Sequence, residues 1–317
     1  MLLVSATGVI LDQVLEQTFP LWNEGLTREG YDRWNRAQMR LPWAKRGLDR
    51  VALVDRGRVL ASAKRYWLRA RLDDRDLLVI GIGALFTPEA ERGHGHASAI
   101  VEAIAGEAQR DGAAFAMLFS EIGPAFYERL SFHPVVLDDV RVETRLEGGA
   151  PAMLVRGGHE RDLPALAALH DVRSTPAGFA LRRDAAQIQF ALARKRLLAG
   201  LGPPGARQVE FHVAEEGASA VAYAIIMVDQ HGWTLSEAGD RDPAAARLGA
   251  LLQVLHAREP SQRPPVIRAW WPRLFPVPPQ LRLIDRRDAR DVLMIRPLSG
   301  ARIPTADEIF YWRSDFF

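Results

Sequence analysis

The apolar positions of this chain change period several times, and each change marks an element. Val14, Leu15, Phe19, Leu21 and Trp22 share one helical face in a segment that runs to about Gly30. An aromatic, charged stretch follows, Tyr31 to Trp43, with Trp34 and Pro42 inside it. Alternation then takes over: Val51–Val54 and Val59–Leu68, joined at Arg56–Gly57, read as a hairpin. Leu77–Phe86 is apolar almost without break, as a strand covered on both faces would be. Helical spacing returns over His96–Asp111, through Ala97, Ile100, Val101, Ile104 and Ala108, and Gly112 ends it. Phe115–Ser120 reads as the next strand, Ala125–Leu130 behind Pro124 as a short helix, and Val135–Leu146 as a strand.

Gly148, Gly149 and Pro151 then suggest a domain boundary. Beyond it the order of elements returns. Met153–Arg156 reads as a strand, Asp162–Asp171 and Asp184–Ala199 as helices, and Gly200–Gly205 as a loop. Val209–Glu215, Ala220–Asp229 and Trp233–Ala238 read as three strands, and Pro243 opens a helix to about Arg258. Val266–Trp271 and Val292–Arg296 are strands again. Two helices, three strands, a helix and a strand make up each half, although the two halves hardly resemble one another residue by residue. The expectation is an α/β protein with mixed α+β sheets, divided as 1–148, 149–298 and an aromatic tail, 299–317.

Composition removes several classes of function. The chain has 317 residues, room for two domains of ordinary size, and a formal net charge of +2. That charge implies no polyanion-binding surface, so no nucleic-acid partner is expected. Nearly all the cations are Arg; only Lys45, Lys64 and Lys195 are Lys. Cysteine is absent, which excludes disulfides, thiolate metal sites and a cysteine nucleophile. The start, MLLVSATGVI, is short and lacks a basic leader. No run approaches the roughly 20 apolar residues of a membrane span. A cytoplasmic protein without a membrane partner is expected.

The candidate chemistry lies between the buried strand and the helix, in Arg92-Gly93-His94-Gly95-His96-Ala97. Glycines let the backbone approach a ligand closely. The first N–H groups of a helix have no partner within it, and its dipole adds positive charge there. Together these suit a pyrophosphate. The spacing Arg-x-x-Gly-x-Ala resembles motif A of the GNAT N-acetyltransferase superfamily, and Leu85-Phe86-Thr87-Pro88 looks like the strand end that leads into it. Pro124-Ala125-Phe126-Tyr127-Glu128-Arg129-Leu130-Ser131-Phe132 looks like motif B, with Ser131 where glycine is usual.

The resemblance implies a GNAT catalytic domain over 1–148 and acetyl-CoA as co-substrate. Two splayed strands, Leu77–Phe86 and Phe115–Ser120, would hold it. Leu85, Phe86 and Thr87 would bind the pantetheine arm, and Arg92, Gly93, His94, Gly95, His96 and Ala97 the pyrophosphate. An amine would attack the thioester directly, and Tyr127, which matches the superfamily's tyrosine, would protonate the departing thiolate; simple packing is its other reading. The base is open. The first splayed strand carries no acid, Glu121 is the nearest candidate, and ordered water would serve as well. His94 and His96 are read as phosphate or solvent contacts, and no metal site is expected.

In the second half, Gly239–Ala245 stands where the phosphate loop would fall. Its glycines are gone, and Asp240 and Asp242 would repel phosphate, so this domain is read as a degenerate GNAT-like unit. The pairing resembles two tandem-GNAT groups, the fungal lysine N6-acetyltransferases and the Eis-type enzymes. In the latter the C-terminal carboxylate enters the active site. The tail here ends Ile309-Phe310-Tyr311-Trp312-Arg313-Ser314-Asp315-Phe316-Phe317. By resemblance the carboxylate of Phe317 is a candidate base or amine anchor, the alternative being a tail packed for stability. Trp22, Tyr31, Trp34 and Trp43, with Glu24 and Asp32, are read either as an acceptor lid or as a core stripe.

The reading that results is an acetyl-CoA-dependent N-acetyltransferase for a primary amine, such as lysine or another small cationic amine. Two alternatives stand beside it. One is an acyl-CoA-sensing module with little turnover. The other is a tRNA-dependent aminoacyltransferase, against which the intact phosphate loop argues. Homo-oligomerisation is left open.

Overall fold

The computed structural model describes residues 1–145, 153–258, 266–315 and 317. The boundary expected at Gly148–Pro151 lies outside the described residues. The first half runs β1 (Leu2–Ser5), α1 (Gly8–Trp22), α2 (Arg28–Arg40), α3 (Ala44–Gly47), β2 (Leu48–Asp55), β3 (Arg58–Leu72), β4 (Arg75–Phe86), α4 (His96–Arg110), β5 (Ala113–Ser120), α5 (Ala125–Glu128), β6 (His133–Val135) and β7 (Asp138–Thr144). The second runs β8 (Leu154–Gly157), α6 (Leu163–Ser174), β9 (Phe179–Leu181), α7 (Ala185–Leu201), β10 (Arg207–Glu216), β11 (Ser219–Asp229), β12 (Gly232–Asp240), α8 (Ala246–Arg258), β13 (Val266–Trp270), β14 (Leu281–Asp288), β15 (Val292–Pro297) and β16 (Ile309–Phe310).

The expected repeat is present. An antiparallel meander, β2–β3–β4, is followed by α4 and by β5, which pairs parallel to β4. In the second half the meander β10–β11–β12 is followed by α8 and by β13, parallel to β12. Arg56 and Gly57 both take positive φ, 48° and 80°, the geometry that closes a tight hairpin between β2 and β3. The stretch Tyr31–Trp43, which had no assignment from its pattern, lies largely in α2. Thr27 accepts the Gly30 N–H as the N-cap of that helix.

The two sheets exchange strands. β7 belongs to the first half of the sequence, yet it pairs with β13 and β14 in the second sheet. β15 belongs to the second half, yet its whole length pairs with Phe115–Ser120 of β5, and it also pairs with β6, in the first sheet. Val140 and Val142 are thereby buried in the second core, and Leu293 and Ile295 in the first. A division at residues 148–149 therefore follows the chain but not the sheets. β9 pairs with β3 and β16 with β9, so both add to the first sheet from the second half.

Each face of the first sheet has its own cover. On one, Ile100, Val101, Ile104 and Ala108 of α4 pack on Ile80 and Ile82 of β4 and on Ala116 and Leu118 of β5. Each fully buried aliphatic side chain there contributes roughly 1.5–3 kcal/mol. On the other, Tyr66, Leu68, Phe115 and Met117 meet Phe179, Phe190, Trp270 and Tyr311 from the second half and the tail.

Candidate functional site

β4 and β5 run paired from Leu78 opposite Ala113 to Ile82 opposite Leu118, and there the pairing stops. On its far edge β5 stays paired with β15 from Phe115 to Ser120. On its other edge β4 slips register against β3, with Lys64 opposite Gly83 and Ser62 opposite Phe86. The residue responsible is Ala84, held at φ 48° in the left-handed region. Such a conformation costs a β-carbon-bearing residue on the order of 1–3 kcal/mol and persists only where the surroundings impose it. The bulge leaves Ala84 and Leu85 without register partners on β3, beside the point where β4 parts from β5. Trp22, at the end of α1, packs on Phe86 at 5.8 Å between ring centroids.

Beyond Thr87 the chain turns into α4. Gly93 and Gly95 have φ of 80° and 78°, which side-chain-bearing residues adopt only with strain. Gly95 is the N-cap and offers no side chain to the helix. The first helical bond runs from Ala99 N–H to Gly95 O, so the amides before it face outward at the positive end of the dipole. Arg92, Gly93, His94 and Gly95 are exposed, and Arg92 Nε donates to Thr87 O at 3.4 Å. Glu91, His94 and His96 bring their ligand-type atoms within 4.8 Å of one another. The Glu91 carboxylate is already ion-paired with Arg58 at 3.1 Å, and His96 Nε2 lies 3.5 Å from it.

The corresponding turn in the second half is filled by its own side chains. Asp240 is fully buried, and its carboxylate accepts the N–H of Asp242 and the N–H of Leu248, each at 2.7 Å. Asp242 Oδ1 accepts the N–H of Ala244 at 3.0 Å. These aspartates do more than repel a phosphate, because they already occupy the amides that would bind it.

Tyr127 is 7% exposed in α5, against Phe126 and Phe132. Burial, aided by the charge of Glu121, pushes its phenol up to about 12. It therefore holds its proton throughout the neutral range. Glu121 itself is exposed just past β5.

The tail crosses the opposite face of β4. A β-carbon on Gly81 would lie 2.7 Å from the Phe317 ring, and one on Gly83 would lie 2.9 Å from the carbonyl carbon and oxygen of Phe317. Glycine at both positions is what admits the tail. The Phe317 ring also packs on Tyr66 and Phe119, each at 5.5 Å. Beside it lies a cleft lined by Trp43, Tyr66, Phe190, Arg194 and Asp315.

The aromatic stretch divides between the two readings offered for it. Trp43 lines the cleft, its ring tilted against Phe190 at 4.8 Å between centroids. Tyr31 is core, its hydroxyl 2.8 Å from that of Thr18. Glu24 pairs with Arg207 at 3.3 Å and Asp32 with Arg36 at 2.7 Å, so both acids are engaged elsewhere. Sequence reasoning missed Gly81 and Gly83 as the seat of the tail; two glycines two apart in a buried strand were the available signal. Among the described residues no helix is long and apolar enough to cross a membrane.

Residues 11–135 match the family described as the acetyltransferase (GNAT) domain. No curated protein matches the chain. Among solved structures, a probable N-acyltransferase from Enterococcus faecalis V583 superposes with a TM-score of 0.69 at 10% identity, over 94% of this chain and 72% of that one. Eis1 from Mycobacterium abscessus gives 0.58 at 12% identity, over 94% and 74%. A tandem GNAT protein from the clavulanic acid biosynthesis pathway gives 0.51 at 13%, over 95% and 99%. At these identities the structural likeness speaks for the fold, and the family match for the first domain. Residues 11–135 therefore carry an acetyltransferase (GNAT) domain, and the chain as a whole is similar in fold to the probable N-acyltransferase and to the tandem GNAT protein.

Proposed function

We propose that the protein transfers acetyl from acetyl-CoA to a small primary amine, lysine among the candidates, at the parting of β4 and β5. The observation that carries this reading is the bulge at Ala84 opening onto an uncapped helix N-terminus. The amides of Leu85, Phe86 and Thr87 would hold the pantetheine arm and polarise the thioester carbonyl. The loop Arg92–Ala97 would take the pyrophosphate.

The deprotonated amine attacks the thioester carbon, the C–S bond breaks, and the sulfur leaves as thiolate. Tyr127, still protonated, would give its phenolic proton to that sulfur. The amine must first lose a proton. Of the two side groups considered for this, Glu121 is exposed, whereas the carboxyl group of Phe317 lies on the acceptor face over Gly83. The latter position favours Phe317 as amine anchor or base, with water as relay.

The test is thioester cleavage, followed by thiol release, with acetyl-CoA and a panel of amines that includes lysine. Amine-dependent release with acetylated product supports the reading. Tight acetyl-CoA binding without release under any amine would favour a donor-sensing module instead.

A further inference from the structure

The tail reaches the first domain's acceptor face through a buried chain of charges that begins in the second sheet. Glu237, in the middle of β12, is completely buried. Its Oε1 accepts the hydroxyl of Tyr223 on β11 at 2.8 Å, and its Oε2 lies 2.7 Å from Arg183 Nη1. Arg183 sits between β9 and α7 with its side chain 1% exposed, and its Nε lies 3.5 Å from Asp315 Oδ1 in the tail. Burial opposes the charge on Arg183, but the two acids outweigh it and keep the guanidinium protonated.

Asp315 in turn closes a compact turn. Its Oδ2 accepts the Trp312 N–H at 2.9 Å, its own N–H donates to Trp312 O at 2.9 Å, and Tyr311 donates its hydroxyl to Asp315 O. Trp312 is wedged in the second core between Trp271 and Phe275, at 5.6 and 5.2 Å. Two residues span at most about 7 Å, so a fixed Asp315 confines Phe317 to the neighbourhood of Gly81 and Gly83.

We infer that Glu237, Arg183 and Asp315 are positioning residues, through which the second domain fixes the tail over the parted strands and so shapes the acceptor side of the first domain's active site. The inference rests on the acyltransfer reading above. It assigns the degenerate domain a specific task. A purely structural ion triad, once broken, would lower the melting temperature and leave the acceptor KM unchanged. Here the triad joins one domain's sheet to the wall of the other domain's cleft.

The experiment uses the full chain with Glu237→Gln, which keeps the shape and the contact with Tyr223 but removes the charge, and Asp315→Asn as an independent variant at the tail. Thermal melts establish that each is folded. Two quantities are read: chymotrypsin cleavage after Tyr311 or Trp312, and the KM values for donor and acceptor separately. The expected result is tail cleavage at least tenfold faster than wild type and an acceptor KM raised roughly tenfold, the scale on which misplaced groups are felt, with the donor KM unchanged. Arg183→Lys, which keeps a charge between the acids, should recover most of the protection. A folded variant with unchanged cleavage and unchanged acceptor KM overturns the inference, and so does a parallel rise of both KM values. If wild type acetylates no amine, the proposed function fails, while the cleavage readout still decides the positioning role.

Discussion

Asp240 Oδ2 accepts the backbone N–H of Leu248 at 2.7 Å, so the second domain's helix carries its own anion where the first domain's helix carries none. The two strand–helix turns hold corresponding places in their sheets, and in the second the turn and helix amides are already taken by side chains.

The first prediction follows from this difference. Calorimetry should find one CoA bound per chain, and a stoichiometry near two would contradict it. Gly95→Val forces a β-branched residue to φ 78°, a strain of about 1–3 kcal/mol. It should weaken CoA binding roughly tenfold or more.

Tyr127→Phe removes the proposed acid and keeps the ring among Phe126 and Phe132. Turnover should fall by about 10²-fold or more, with little change in CoA affinity. Because the phenol is pushed up to about 12, the wild-type rate should show no alkaline loss from this group below about pH 11. A mutant with wild-type turnover would remove the assignment.

The glycines under the tail give a third test. Gly81→Val places side-chain atoms where the Phe317 ring lies, and deletion of residues 316 and 317 removes the ring altogether. Both should lower kcat/KM for the amine by roughly tenfold while leaving donor binding intact. Full activity in the deletion would refute a working role for Phe317.

Lys195 supplies a test of stability against pH. Burial, reinforced by the charge of Arg194, lowers its ammonium to about 7, from an ordinary 10.5. Between those values the unfolded chain binds the proton and the folded chain does not, so stability rises with pH across that window. Below about pH 7 both states are protonated and this contribution is flat. Urea midpoints measured from pH 6 to 10 should rise above pH 7, relative to Lys195→Met measured alongside. Parallel curves for the two proteins would show that Lys195 is not the source.

Local pattern determined a good deal of this protein. The period-2 hairpin at Arg56–Gly57, the helical spacing of Ile100, Val101 and Ile104, and the glycines at 93 and 95 are each short-range features. The glycine loop before α4 was therefore visible in consecutive residues. Asp240 and Asp242 likewise marked the second turn as unsuited to phosphate before any contact was known. What pattern could not supply was partnership over distance. β7 and β15 each bury a face in the other half's sheet, and an apolar strand reads the same whichever sheet receives it. The parting of β4 from β5 depends on where pairing stops, and the bulge at Ala84 has no marker residue of its own. The charged chain from Glu237 through Arg183 to Asp315 joins positions far apart in sequence. Only the folded sheets bring those three together, because burial is what obliges each charge to find another.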